Sequence, residues 1–307
     1  MQNNPYAAPS AEQIASWPGY LYFVCERERV RMLKESGAPA PWTHDPILQK
    51  YKFTCVRRKD DRMSKWFIKH LIEPYTNRTD LWFTLLVARL INWPPMIQRL
   101  IEQGVLPCSP HEFDASRFVA TVENYKDGGN KVYGDAYLVY PTRMDPGGNK
   151  SESLAKWIIG DVIKNHKDVH HSLWDADMGQ PSVARFVTEL SECFGISTFI
   201  AGQVAADLAM DLGHLGNAED LLTWAPLGPG SQAGLNYLFG KPVSAKWDQT
   251  NFNHALMDAR ERVAEELSIE DVTLHDIQST FCEYGKYART VLGVGKPKSL
   301  NKRQTAY

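Results

Sequence analysis

The sequence lacks the marks of several large protein classes. No apolar run reaches the roughly 18–20 residues that a membrane-spanning helix needs, so no such helix is expected. Its five cysteines (Cys25, Cys55, Cys108, Cys193 and Cys282) are scattered, odd in number and never at C-x-x-C spacing, which argues against a disulfide framework and against a cysteine zinc site. The stretch from Met1 to Ser16 shows no basic-then-apolar pattern, so secretion is not expected and a reducing cytoplasm is the expected compartment. There is no Gly-x4-Gly-Lys-Ser/Thr segment. Gly293-Val294-Gly295-Lys296-Pro297 is only a fragment of one, with no strand before it, so nothing here supports phosphoryl transfer from ATP. The adjacent His170 and His171, near Asp168, Asp175 and Asp177, point apart on a helix, and neither a metal nor another cofactor is expected. Internal repeats, low-complexity tracts and an obvious interdomain linker are also missing.

What is present begins with composition. Hydrophobic residues make up 43% and charged residues 23% of the 307, the proportions of a folded globular protein rather than a disordered one. The net charge of -2 hides a segregation. Residues 26–69 hold twelve basic and six acidic side chains, residues 286–303 hold six basic and no acidic ones, and the remainder holds 16 basic against 30 acidic. Two basic islands on an acidic body suit a polyanion on one face. A salt-bridged helix followed by a solvated tail is the alternative, since the whole chain is not basic.

Hydrophobic periodicity predicts a mainly helical single domain over 19–292, with a flexible 1–18 before it and a basic tail over 293–307. Helices are expected from Tyr20 to Gly37, over Leu81–Ile91 and Met96–Gln103, from Phe113 to Tyr125, and from a Ser151 cap to Ile163. Further helices are expected over Ser182–Cys193, Ser197–Leu212, Ala218–Trp224 (capped by Asn217), Asn251–Leu267 and Thr273–Arg289. Strand formers around Gly134 predict a minor β-hairpin over Val132–Tyr140.

Three features carry chemistry. Ala225-Pro226-Leu227-Gly228-Pro229-Gly230-Ser231 between two expected helices reads as a helix–hairpin–helix. There Gly228 and Gly230 let backbone N–H groups face a DNA phosphate; an ordinary turn between packed helices is the alternative. Asp248 follows, and on its own reads as the cap of the next helix. The third feature is Glu26-Arg27-Glu28-Arg29-Val30-Arg31, then Trp42, Phe53, Arg57-Arg58-Lys59-Asp60-Asp61-Arg62 and Trp66. Basic groups interleaved with aromatics suit a stacked base and its phosphates, whereas i,i+3 pairs such as Glu28–Arg31 suit a bland ion-paired surface.

The span from Gly228 to Asp248 resembles the helix–hairpin–helix DNA glycosylase superfamily, in which a Gly-x-Gly hairpin precedes an aspartate facing the target nucleotide. A longer set of motifs is similar to the helical family of phage DNA-hypermodification proteins. These are Glu-Arg-Glu-x-x-Arg, Pro41-Trp42-Thr43-x-Asp45-Pro46-Ile47-Leu48, Lys52-Phe53-Thr54, Arg57–Arg62, Arg89-Leu90-Ile91-Asn92-Trp93-Pro94, Gly202–Leu208 and Cys282-Glu283-Tyr284-Gly285-Lys286-Tyr287, spanning most of the chain. That family includes the helical domain of 5-hydroxymethyluridine DNA kinases and the alpha-glutamyl/putrescinyl thymine pyrophosphorylases, or amino acid:DNA transferases.

The resemblance implies a DNA glycosylase-like helical fold. It also implies a stand-alone transferase that replaces pyrophosphate on 5-(pyrophosphoryloxymethyl)deoxyuridine in DNA with an amine of the glycine, glutamate or putrescine type, downstream of a separate DNA kinase. Such chemistry needs cations for the leaving group, a carboxylate to deprotonate the amine, and an extruded base. The corresponding expectations are Arg27, Arg31, Arg57, Arg58, Arg62, Gly228, Gly230 and Lys286 at phosphates. Glu26, Glu28, Asp60, Asp61, Asp207 and Asp248 are the candidate catalytic carboxylates, and Trp42, Asn92 and Trp93 are expected at the base. Glu283 joins Lys286 in a second polar cluster. A base-excising enzyme and a non-catalytic DNA-binding partner of a kinase are the alternatives.

Overall fold

The computed structural model describes residues 4–134, 148–174, 179–297 and 300. Among these the chain is all-helical. The helices are α1 (Trp17–Glu35), α2 (Pro46–Lys50), α3 (Arg62–Phe67), α4 (Leu81–Ile91), α5 (Pro94–Glu102), α6 (Ala115–Asp127), α7 (Lys150–Ser153), α8 (Gly160–Trp174), α9 (Val183–Glu192), α10 (Thr198–Leu208), α11 (Pro229–Leu238), α12 (Gln249–Leu267) and α13 (Leu274–Val291). An isolated antiparallel bridge between Tyr51 and Leu300 is the one β feature among the described residues. Most of the hairpin expected over 132–140 lies outside the described residues; Val132, Tyr133 and Gly134 lie within them and form no strand.

The chain divides into two compact units. One is discontinuous, Met1–Asp61 with Leu222–Tyr307; the other is Arg62–Leu221.

The discontinuous unit is built on α1, α2 and α11 to α13 around an aromatic core. Ser16 caps α1 by accepting the Gly19 N–H, and the helix buries nearly every side chain from Tyr20 to Glu28. The Tyr20 ring stacks on Phe281 at 4.4 Å between centroids, and its hydroxyl shares a 2.7 Å hydrogen bond with Thr280. The phenol therefore satisfies its polar end while burying its ring. Thr273 and Asp276 close a capping box at the start of α13, as the sequence pattern requires.

Glycine sets the approach of α11 to α13. A Cβ on Gly234 would stand 2.0 Å from the Phe281 carbonyl oxygen, and one on Gly230 would stand 2.5 Å from Cys282 Sγ. Gly285 on α13 faces Gly234 in turn. A side chain at Gly234 would push the helices apart, whereas one at Gly230 would have to displace the Cys282 thiol.

In the Arg62–Leu221 unit, every residue of α4 is buried, which explains its unbroken apolar run. It ends at Asn92 in the left-handed conformation (φ 48°, ψ 34°), tolerable for asparagine. Ser182 and Ser197 cap α9 and α10 as expected. The helix expected over 218–224 does not form. Its backbone and side chains have tertiary partners instead: Glu219 N–H donates to the Pro181 carbonyl, and the Asp220 carboxylate accepts from Val183 and Ala184 N–H at the start of α9. Asn217 likewise spends its amide on the Leu212 carbonyl. Only the second helix of the anticipated helix–hairpin–helix is present.

Candidate functional site

Three motifs distant in sequence meet in the discontinuous unit, on α13. Asp276 is buried, accepting the Arg58 backbone N–H at 2.7 Å and the Thr273 N–H at 2.9 Å. Burial raises its pKa despite those donors and the nearby Arg58 charge. Asp61 accepts the Cys55 N–H at 2.9 Å and is also raised by burial, with Arg58 and Arg27 opposing. Arg27 is buried, and that burial lowers its pKa against the charges of Cys55, Glu283, Asp61 and Glu28. Two turns along α13 from Asp276, Glu283 binds Lys286 through Oε1 at 2.5 Å, while its buried Oε2 has no hydrogen-bond partner. Burial pushes the Lys286 ammonium down, but Glu283 outweighs it and the pKa ends raised. The result is a part-buried arrangement of Arg27, Arg58, Asp61, Asp276, Glu283 and Lys286.

Other expected residues are occupied in structural roles. Arg27 itself donates to the Phe53 and Thr54 carbonyls at 2.9 and 3.1 Å, so it ties α1 to the 53–54 segment rather than presenting a free guanidinium to phosphate. Glu26 is held by Arg29 at 2.6 Å and by Asn4, which outweigh burial and leave its pKa lowered. Glu28 is gripped by Arg31 and Arg57, each at 2.5 Å, and is lowered in the same way. Arg31 also pairs with Glu35 and Asp60, and Arg57 with Asp271 at 2.6 Å. Four carboxylates thus face Arg31, Arg57 and Lys59 in one compensated network. The open basic patch expected at Arg31 and Arg57 is instead a set of ion pairs. Phe53 is core and not a stacking platform.

Asp248 is exposed and caps α12, accepting the Asn251 N–H at 2.9 Å, which holds its carboxyl below the usual range. Gly228 is the residue before α11, with extended φ of -127°; Gly230 serves the helix contact described above. Trp42 is half-buried, its indole N–H on the Ala38 carbonyl and Lys34 lying over its ring at 4.7 Å. Arg62 opens α3 at the surface.

In the Arg62–Leu221 unit, Asp207 and Arg89 form a buried two-pronged ion pair at 2.6 and 2.7 Å, with the guanidinium carbon over the Phe67 ring at 4.1 Å. Arg89 also reaches Asn92 Oδ1 at 3.3 Å. Asp207 is 0% exposed and Asn92 is 5% exposed, so both hold the helix ends together; neither faces solvent. Trp93 is half-buried at the start of α5, with Lys131 over its ring at 4.6 Å. A shallow cavity of about 500 Å³ lies between α5 and α6, lined by Arg99, Glu102, Arg117, Thr121, Asn124 and Asn130. Asp276 and Cys55, absent from the expected set, complete the arrangement on α13. The capping pattern Thr273-x-x-Asp276 was readable as a cap, and nothing in it signalled burial beside Arg58.

The sequence matches the family model described as 5-hmdU DNA kinase, helical domain, over residues 15–295. It is 25% identical over 241 residues to a Bacillus phage SP10 protein named 5-hmdU DNA kinase, an alignment covering 73% of this chain and 36% of that protein. The chain therefore spans about a third of the length of that relative. No solved structure matches.

Proposed function

The chain belongs to the family of the 5-hmdU DNA kinase helical domain, and from that premise we propose that it modifies thymine-derived bases in DNA by exchanging a pyrophosphate for an amine. In this reading a kinase activity outside these 307 residues, which carry no Gly-x4-Gly-Lys-Ser/Thr segment, supplies the 5-(pyrophosphoryloxymethyl)deoxyuridine. The amine nitrogen bonds to the 5-methylene carbon as the carbon–oxygen bond breaks. Pyrophosphate leaves with the bonding pair, and the proton lost by the ammonium passes to a carboxylate.

The observation that supports this most is Glu283. It is a buried carboxylate with one oxygen on Lys286 and the other without a partner, among Arg58, Asp61 and Asp276. A buried acceptor left unsatisfied costs about 1–3 kcal/mol, and an ammonium donor would recover that. In this assignment Glu283 orients and deprotonates the amine, and Lys286 and Arg58 meet the departing pyrophosphate. Asp61, Asp276 and Arg27 fix their positions.

The test is incubation of the protein with duplex DNA carrying the pyrophosphorylated base and a panel of glycine, glutamate and putrescine, followed by nucleoside mass spectrometry. The expected outcome is a mass gain on an intact strand, lost in a folded Glu283→Gln variant. Release of free base would instead indicate base excision. Binding without consumption would indicate an accessory DNA-binding role.

A further inference from the structure

The Arg62–Leu221 unit contains a group of hydrogen-bond donors without acceptors, none of which belongs to the candidate site on α13. Lys150 is half-buried at the start of α7, with Nζ 3.9 Å from the centre of the Tyr133 ring. Among the described residues it makes no ion pair. The Tyr133 hydroxyl is buried with no partner, and so is the hydroxyl of Ser153, three residues from Lys150 on the same helical face. The carboxylate nearest in charge to Tyr133 is Glu123, and it is already engaged by Lys126 at 3.0 Å and by Ser151 Oγ at 2.9 Å. The segment bearing Tyr133 is firmly placed. Gly134 N–H donates to the Ile91 carbonyl at 3.0 Å, and a Cβ on Gly134 would lie 2.2 Å from the Asn92 carbonyl oxygen. Two residues earlier, Lys131 lies over Trp93.

We infer that Lys150 and Tyr133 form a phosphate-binding site, with Lys131 and Trp93 beside it for a neighbouring charge and an aromatic face. An ammonium that rests on a ring and not on a carboxylate keeps its N–H groups for an incoming oxyanion. A phenol without an acceptor supplies a neutral donor to the same oxygens, and Ser153 offers a second. Burial holds the Lys150 pKa down, the direction expected of a cation whose counter-charge has yet to arrive. The shared ligand chemistry is a phosphate oxyanion, whether on a nucleic-acid backbone or in free pyrophosphate. The inference is independent of amine transfer, because the binding it describes needs neither an amine nor a modified base.

The test is isothermal titration of the full chain with two ligands, inorganic pyrophosphate and an unmodified single-stranded thymidine oligonucleotide, at low salt. Lys150→Ala is expected to weaken binding of at least one ligand by about tenfold or more, and Tyr133→Phe by about three- to tenfold, the loss of one charge-assisted hydrogen bond each. The ligand affected identifies the source of the phosphate. Tyr133→Phe should not lower Tm, since it removes only a hydroxyl that lacks a protein partner; Lys150→Ala also gives up the contact with the Tyr133 ring, so it is read through the affinities and not through Tm. Lys59→Ala, which removes an exposed lysine paired with Asp271, is the control and should leave both affinities unchanged. Wild-type affinities in both Lys150→Ala and Tyr133→Phe, or no binding of either ligand by the wild type, would overturn the inference. A wild type that binds these ligands yet transfers no amine to the pyrophosphorylated base would instead count against the proposed reaction and leave this inference standing.

Discussion

Asp207→Asn separates a structural from a catalytic carboxylate. The side chain is 0% exposed and Arg89 is 2% exposed, and two hydrogen bonds of 2.6 and 2.7 Å join them. The amide keeps the shape, but it removes the negative charge and places an NH2 group against guanidinium donors. Arg89 is then a buried cation that has lost the carboxylate gripping it through two hydrogen bonds, although it still touches Asn92 Oδ1 and Phe67. Breaking a buried pair from one side costs about 3–5 kcal/mol. For a folding unit of roughly 150–250 residues each kcal/mol moves Tm by about 2–4 °C, so a fall of about 10 °C is expected. The assay is urea denaturation at neutral pH followed by far-UV circular dichroism, with a thermal scan alongside. Replacing both partners, as in Arg89→Met with Asp207→Leu, should recover much of the loss, because no charge is then left unpaired. If Asp207→Asn were as stable as the wild type and yet inactive in the exchange assay, the structural assignment would fail and Asp207 would belong to the chemistry.

Further outcomes follow from particular contacts. Gly230→Ala should destabilise by about 1–3 kcal/mol through overpacking, and adding Cys282→Ala should reverse most of it, since the offending atom 2.5 Å away is Sγ and the Cys282 Cβ lies at 3.5 Å; chevron or melt data on both variants check this. Asp248→Asn should keep both Tm and any exchange activity, because asparagine caps a helix as well as aspartate does, while Asp248→Ala should lower Tm; inactivity of the folded asparagine variant would restore a catalytic role to this carboxylate. Asp61 has a raised pKa, so its contribution to stability is complete below the ordinary carboxylate value and declines as pH rises through the folded value. Asp61→Asn, whose amide oxygen can still accept the Cys55 N–H, should therefore gain stability over wild type in urea midpoints as pH rises above the ordinary carboxylate value; a difference that stays constant with pH would contradict the burial argument. Glu28 works in the opposite sense: its pKa is lowered, its contribution is present above the ordinary value and is lost as pH falls, and Glu28→Gln should flatten the acid limb of the same curve.

Most helices were readable because their caps and apolar runs are local signals. Ser182, Ser197 and Thr273 begin helices as their residue types require, and the unbroken run of α4 indicated burial on all sides. The failures have a common cause. Residues 218–224 have helical composition, but Asp220 satisfies the start of α9 and Glu219 N–H reaches Pro181, choices set by tertiary neighbours. The glycines at 230 and 234 look alike whether they turn a backbone toward a phosphate or let two helices touch. Only the position of Phe281 and Cys282 distinguishes the cases, and both are about fifty residues away in sequence.

The charge islands show the same limit on the scale of a site. Residues 26–69 are strongly basic as a string, yet their arginines do not form an open cationic field. Arg27 spends itself on two carbonyls and Arg31 on glutamates of its own helix. Arg57 is claimed by Glu28 and by Asp271, an acid more than two hundred residues later. The neutralising charges at 271, 276 and 283 lie outside the island that the sequence defines, on or just before α13, so no window on the chain could count them. That same helix returns something the island lacked. Asp276 fixes the backbone at Arg58, and Glu283, one oxygen unpartnered, stands beside Lys286. Recognition of a charged substrate in this unit therefore depends less on accumulated positive charge than on which charges remain uncompensated. On that basis, substituting Glu283 should alter the proposed exchange more than substituting Arg31, although only Arg31 lies in a segment of net positive charge flagged by composition.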